Sequence, residues 1–117
     1  MSKPPIEVIV PTHFEKIVKR LRKRFPKISN LIRELIQTLE QGETPGDQIQ
    51  GVGYTAYKVR LPNPDAQKGK SGGYRVVYYI KKAGRVILLV VYSKTDQVDI
   101  SPEEIRLLIN QFEGIEE

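Results

Sequence analysis

The sequence predicts one α+β domain over residues 1–117, in the order strand, helix, helix, three strands, helix, with a mainly antiparallel sheet. Three observations carry this reading. First, Phe14, Ile17, Val18, Leu21 and Phe25, and then Ile28, Leu31, Ile32, Leu35, Ile36 and Leu39, recur at helical spacing. Second, between Tyr54 and Lys94 the pattern changes to period-two alternation or unbroken apolar runs, as strands require. Third, Ser101-Pro102-Glu103-Glu104 combines a serine cap, a proline at the first helical position and acids at the positive end of the helix dipole.

Taken in order, Ile6 to Val10 is a short apolar run that reads as an initial strand, stopped by Pro11. Thr12-His13-Phe14-Glu15 has capping-box spacing and is expected to open the first helix. Pro26 disfavours helical geometry in the residue before it, so a second helix is expected from about Ser29 to a stop at Gly42. Residues 42–53 are rich in breakers and read as a loop. In the strand from Tyr54 to Leu61, Tyr57, Val59 and Leu61 share one face, while Lys58 and Arg60 share the other.

The glycine-rich basic loop Gly69-Lys70-Ser71-Gly72-Gly73 runs straight into the next strand, Tyr74 to Lys81. Its glycines allow a sharp bend or the close approach of a backbone or a phosphate. Lys82-Ala83-Gly84 marks a hairpin turn into a third strand, Arg85 to Lys94. The apolar run Val86 to Val91 is what a central strand covered on both faces needs. Ile105, Leu108, Ile109 and Phe112 form the stripe of the last helix, which Gly114 ends.

Bulk composition bounds the chemistry. With no cysteine, disulfides, zinc–thiolate sites and cysteine nucleophiles are excluded. No apolar run is long enough to span a membrane, and Met1 to Pro5 lacks the apolar stretch of a signal peptide, so a cytoplasmic location and no membrane partner are expected. The net charge is +5 and unevenly placed. Seven basic residues fall between Lys16 and Lys27, and nine between Lys58 and Lys94 against the single acid Asp65. After Lys94 there are seven acids and only Arg106. A basic body of this kind suits a polyanionic or acidic partner, although soluble surface charge alone also accounts for it.

The candidate site follows from strand parity. Lys58 and Arg60 lie on one strand face, Arg75 begins a neighbouring strand, and Tyr92 and Lys94 close a third. Lys68, Lys70 and Tyr79 are further candidate RNA contacts. No His/Asp/Glu set has metal spacing, so neither a metal nor a small-molecule cofactor is expected. The one histidine, His13, reads as a local helix-start residue. No serine has an obvious base, and Gly69-Lys70-Ser71 lacks the upstream glycine of a phosphate-binding loop. The remaining chemistry is a cationic, phenolic surface for single-stranded RNA, with phosphates on Arg and Lys and bases on Tyr. RNA brings its own nucleophile, and a protein that aligns the 2′-hydroxyl and stabilises the pentavalent charge needs no metal. A solvated outer sheet face is the alternative reading of the same residues.

Tyr57-Lys58-Val59-Arg60-Leu61, then Gly69 to Tyr79, then Leu89 to Lys94, resemble the RelE/ParE superfamily of type II toxin–antitoxin toxins, most closely its HigB/RelE-type branch. The resemblance covers nearly the whole chain and is most specific at Gly72-Gly73-Tyr74-Arg75-Val76-Val77-Tyr78. It implies a small twisted sheet with the two N-terminal helices packed on one face. The implied activity is an mRNA interferase: an endoribonuclease that cleaves mRNA on the ribosome through the RNA 2′-hydroxyl, inhibits translation, and is restrained by a cognate antitoxin. By that resemblance Lys58 and Arg60 bind phosphate, with Lys58 a candidate general base. Arg75 would stabilise the transition state, and Lys94 would supply a further cation. The RelE prototype carries a tyrosine just before the last helix, where this chain has Ile100. Tyr92 or Tyr79 would then have to supply the phenol. Two other functions stay open: the ParE branch inhibits DNA gyrase, and a non-catalytic RNA- or protein-binding module would use the same cations only to bind. An acidic C-terminal helix folding over part of the groove is a further expectation.

Overall fold

The structure is a computed structural model that describes residues 6–62, 73–82, 84–94 and 99–114. The element order is β1 (Glu7–Ile9), α1 (Thr12–Arg24), α2 (Ile28–Glu40), β2 (Asp47–Gln48), β3 (Ala56–Leu61), β4 (Tyr74–Lys81), β5 (Arg85–Ser93) and α3 (Pro102–Glu113). Among the described residues these strands form one sheet in the order β1-β5-β4-β3-β2. Only the β1–β5 pair is parallel. The expected α+β fold is therefore present, and β5 and β4 are interior, as the apolar runs require.

The two sheet faces hold separate cores. Tyr74, Val76 and Tyr78 of β4, Val59 of β3, and Val86, Leu88 and Val91 of β5 pack with Phe14 and Leu21 of α1 and Ile32, Leu35 and Leu39 of α2. On the other face Ala56, Val77, Tyr79, Ile87 and Leu89 pack with Ile105 and Ile109 of α3. The sheet thus lies between the N-terminal helix pair and the single C-terminal helix. That leaves the α3 side with less cover than the α1–α2 side.

The pairing of β4 with β5 contains a register shift. Val77 opposes Val90, but Tyr78 opposes Leu88, so Leu89 has no partner in the ladder. Such a bulge inserts one residue and resets the alternation. Leu89 and Val90 both contribute to the α3-side core, while Val91 returns to the helix-pair side. The backbone oxygen of Leu89 is hydrogen-bonded to His13 Nε2 at 2.5 Å. His13 is therefore a structural tie between the start of α1 and the bulge, not only a local helix-start residue.

Other expectations are corrected in detail. No side-chain cap opens α1: Pro11 is the N-cap residue in extended geometry, so Thr12 already lies inside the first turn and its hydroxyl does not precede the helix. The breaker-rich loop contains the short strand β2, which pairs with Lys58 and Tyr57 of β3. A two-residue strand is too short to show a period. Strand β3 starts at Ala56, because Tyr54 turns toward α3 and its hydroxyl donates to Asn110 Oδ1 at 2.7 Å. Phe112, expected in the buried stripe of α3, is exposed, along with Leu107. The Ser101–Glu104 capping box of α3 and its Gly114 stop form as expected.

Candidate active site

Strand β3 carries the first two cations. Its inward residues Val59 and Leu61 anchor it on the helix-pair core, which turns Lys58 and Arg60 to the α3 side. Two glycines let the chain come close to it. Gly46 has φ +94, and a Cβ there would collide with the backbone of Lys58 and Val59. Gly73 has φ +66, and a Cβ there would lie 2.6 Å from the Leu61 carbonyl oxygen. The expected use of Gly73 as a close-approach point is therefore realised by backbone against backbone. Gly69, Lys68, Lys70 and Gly72 lie outside the described residues.

The ladder then aligns the rest. Arg60 of β3 opposes Arg75 of β4, and Arg75 opposes Tyr92 of β5, so one row crosses three strands. Lys58 lies two residues from Arg60, on the same face. Lys94 follows β5, and its backbone N–H donates to the Gly73 oxygen at 3.0 Å, which fixes it at the same end of the sheet. The bulge matters here. Strict alternation from Leu88 would point Tyr92 at the helix pair, whereas the inserted residue brings it opposite Arg75.

One residue that sequence reading did not single out joins this group. Asp99, just before α3, receives Lys58 Nζ on Oδ1 at 2.9 Å and on Oδ2 at 3.1 Å. Tyr92 Oη donates to the same Oδ1 at 2.9 Å, and so does the Ile100 backbone N–H at 2.8 Å. These donors, the Lys58 hydrogen bond first, hold the Asp99 carboxyl down from 3.8 to about 2. Burial, and then the hydrogen bond and negative charge of Asp99, push the Tyr92 phenol well above its ordinary range, while Arg75 pulls the other way. Tyr92 is thus a protonated donor at neutral pH. The only signal for Asp99 in the sequence is the change from basic to acidic composition after Lys94.

Tyr79 does not join them, which corrects its expected role as an RNA contact. It lies on the predicted face and is as buried as Tyr92, but α3 covers that part of the face and takes its hydroxyl away from the cations. Its ring meets Tyr54 edge-on, and its hydroxyl donates to Glu113 of α3. Glu113 also binds Lys81 Nζ at 2.8 Å. The acidic C-terminal helix does fold over part of this face, at the Lys81 end, whereas the acid at the Lys58 end is Asp99. Ile100, at the place of the family tyrosine, packs against the α3-side core and supplies no phenol.

A second basic surface lies on the far side. Lys16, Lys19, Arg20 and Lys23 cluster on α1, next to a groove whose rim includes Arg22 and Arg33 and whose floor includes Val18, Ile32 and Ile36. Among the described residues, no group of His, Cys, Asp and Glu could hold a metal ion, and no helix is long and apolar enough to cross a membrane.

Comparison with known proteins bears on the fold and the family. Among curated protein sequences there is no significant match. An E. coli toxin RelE structure, a double arginine-to-alanine mutant in the free state, superposes with a TM-score of 0.56. That match covers 93% of this chain and 98% of that one at 18% identity, which establishes a shared fold. The family model described as the RelE toxin of the RelE/RelB toxin–antitoxin system matches residues 12–112. That span takes in α1, α2, all but the last residue of α3, the sheet from β2 to β5 and the whole Lys58–Arg75–Tyr92–Asp99 group, and the chain belongs to the RelE toxin family.

Proposed function

We propose that this protein is the toxin of a type II toxin–antitoxin system and acts as a metal-independent endoribonuclease on mRNA, with the ribosome as its platform and translation as the process it stops. The observation that carries the reading is the Arg60–Arg75–Tyr92 row with Lys58 beside it on one sheet face, where the Tyr92 ring is buried and its hydroxyl meets Asp99. In the reaction, the RNA 2′-oxygen attacks the adjacent phosphorus as it loses its proton, the bond from phosphorus to the 5′-oxygen breaks, and that oxygen gains a proton. Arg75 is the fixed charge that stabilises the pentavalent phosphorus, since arginine stays protonated and serves poorly as a base. Arg60 and Lys94 hold the flanking phosphates. Tyr92 is the candidate donor to the 5′-oxygen. Lys58 shares in binding the phosphate and is also the candidate base. Lys68 and Lys70 are further candidate RNA contacts.

The antitoxin in this reading carries an acidic or amphipathic segment that covers the basic face or adds to the sheet. The α1 cluster of Lys19, Arg20 and Lys23 contacts ribosomal RNA. Reversing those charges should weaken co-sedimentation with ribosomes, and unchanged sedimentation would remove that contact.

The decisive experiment is expression followed by mapping of mRNA 5′ ends. Codon-spaced cuts that vanish in Arg75→Ala support the nuclease. DNA breaks with intact mRNA would instead indicate a gyrase poison, and unaffected growth and RNA would leave a binding module. The gyrase reading gains nothing from a row of phosphate-binding cations.

A further inference from the structure

The Asp99 carboxylate sits where an anion would be expected to bind. Lys58 reaches both of its oxygens from β3, and Tyr92 donates to one of them from β5. These are the groups the proposed reaction needs for phosphate and for the departing oxygen. Arg75, opposite Tyr92 in the ladder, adds positive charge beside them. Asp99 is held by the backbone next to α3, so it meets Lys58 at a high local concentration. Yet the pair is open: the side chains of Lys58 and Asp99 are 32% and 52% exposed. An ion pair at that exposure is weak and exchanges readily with a competing anion.

We propose that Asp99 is an internal occupant of the phosphate seat formed by Lys58 and Tyr92, and that an RNA phosphate must displace it to bind. The inference rests on the reading that this face binds RNA. Displacement replaces one anion by another on the same donors and makes no new covalent bond. It also frees the Tyr92 hydroxyl to face the substrate. Asp99 is then a built-in competitor that lowers affinity for any strand that cannot also engage Arg60 and Arg75. A carboxylate that merely oriented Lys58 would have the opposite signature, because its loss would weaken binding.

The test uses the full chain and a short single-stranded RNA whose 2′-hydroxyls are all methylated, so that it binds but cannot be cut. Fluorescence anisotropy should show Asp99→Asn binding about two- to fivefold tighter than the unaltered protein, the size expected from releasing one exposed ion pair. The amide keeps an acceptor for Tyr92 and Ile100. In a Lys58→Met background the same change should add nothing further, because no seat remains to be vacated. Glu34→Gln, which removes one negative charge on α2, should leave affinity unchanged. Equal or weaker binding by Asp99→Asn overturns the proposal, and so does an equal gain in the Lys58→Met background. In the unaltered protein, the Asp99 carboxylate NMR resonance should move on saturation with the methylated RNA, and a static resonance also overturns it. If binding depends on Lys58 and Arg75 but ignores Asp99, only this inference falls. If the methylated RNA does not bind, or binds regardless of Lys58 and Arg75, the RNA-binding reading falls with it.

Discussion

The α3-side face of the sheet carries the same three-part grouping twice. At one end Glu113 binds Lys81 and the Tyr79 hydroxyl, and at the other Asp99 binds Lys58 and the Tyr92 hydroxyl. The parts match: a lysine, a phenol and a carboxylate that arrives from the C-terminal region. The settings differ. Glu113 belongs to α3 and its side chain is 18% exposed, while that of Asp99 is 52% exposed. The Lys58 end also has Arg60 and Arg75 in register beside it, and Lys81 lies opposite Arg85. The same chemistry therefore closes a helix onto a sheet in one place and leaves a reachable cationic site in the other. What separates the two is the exposure of the carboxylate and the cations in register beside it, not residue type.

Substitutions at the two ends test this difference. Arg75→Ala should lower cleavage by about 10²- to 10³-fold, the usual cost of removing one charge-stabilising donor, with little change in melting temperature. A single-turnover assay on ribosome-bound mRNA would measure it, and near-normal cutting would deny Arg75 its role. Lys81→Met should leave the cleavage rate unchanged; a large loss would mean that the two groupings are not functionally distinct. Gly73→Ala should destabilise by about 1–3 kcal/mol, because it forces a side chain into a left-handed conformation and against the Leu61 oxygen. Urea unfolding reads this directly, and a neutral result would show that β3 and β4 can separate there at no cost.

Smaller effects follow. Tyr79→Phe should cost about 1 kcal/mol in the same unfolding experiment without altering RNA cutting. Asp99 should titrate near pH 2, and in Lys58→Met its midpoint should climb toward 3.8, as followed by carboxyl NMR. Its folded value lies below the unfolded one, so its contribution to stability is complete above about pH 4 and fades as pH falls toward 2. At its exposure that contribution is about a few tenths of a kcal/mol. A midpoint that ignored Lys58 would dissolve the pairing.

Much of this was legible in the sequence because burial leaves a periodic trace. The helix stripes, the two-sided apolar run of β5, and the sidedness of Lys58 and Arg60 all follow from spacing. Three features did not, each for a physical reason. Asp99 sits outside any periodic segment, and its partner Lys58 is 41 residues away, so no local pattern connects them. The burial of Tyr79 depends on where α3 comes to rest, which strand parity cannot report. The short strand β2 exists because Gly46 and Gly51 give the loop positive φ angles next to β3, not because its own residues favour a strand.

The extra residue in β5 has a consequence for how relatives of this chain are compared. An alignment that slides by one position between Leu88 and Val91 still matches hydrophobic to hydrophobic, yet it assigns the phenol of Tyr92 to the wrong side of the molecule. Grafting this row onto another scaffold would therefore require transplanting Leu89 with its His13 clasp, since the clasp lies where the strand changes step.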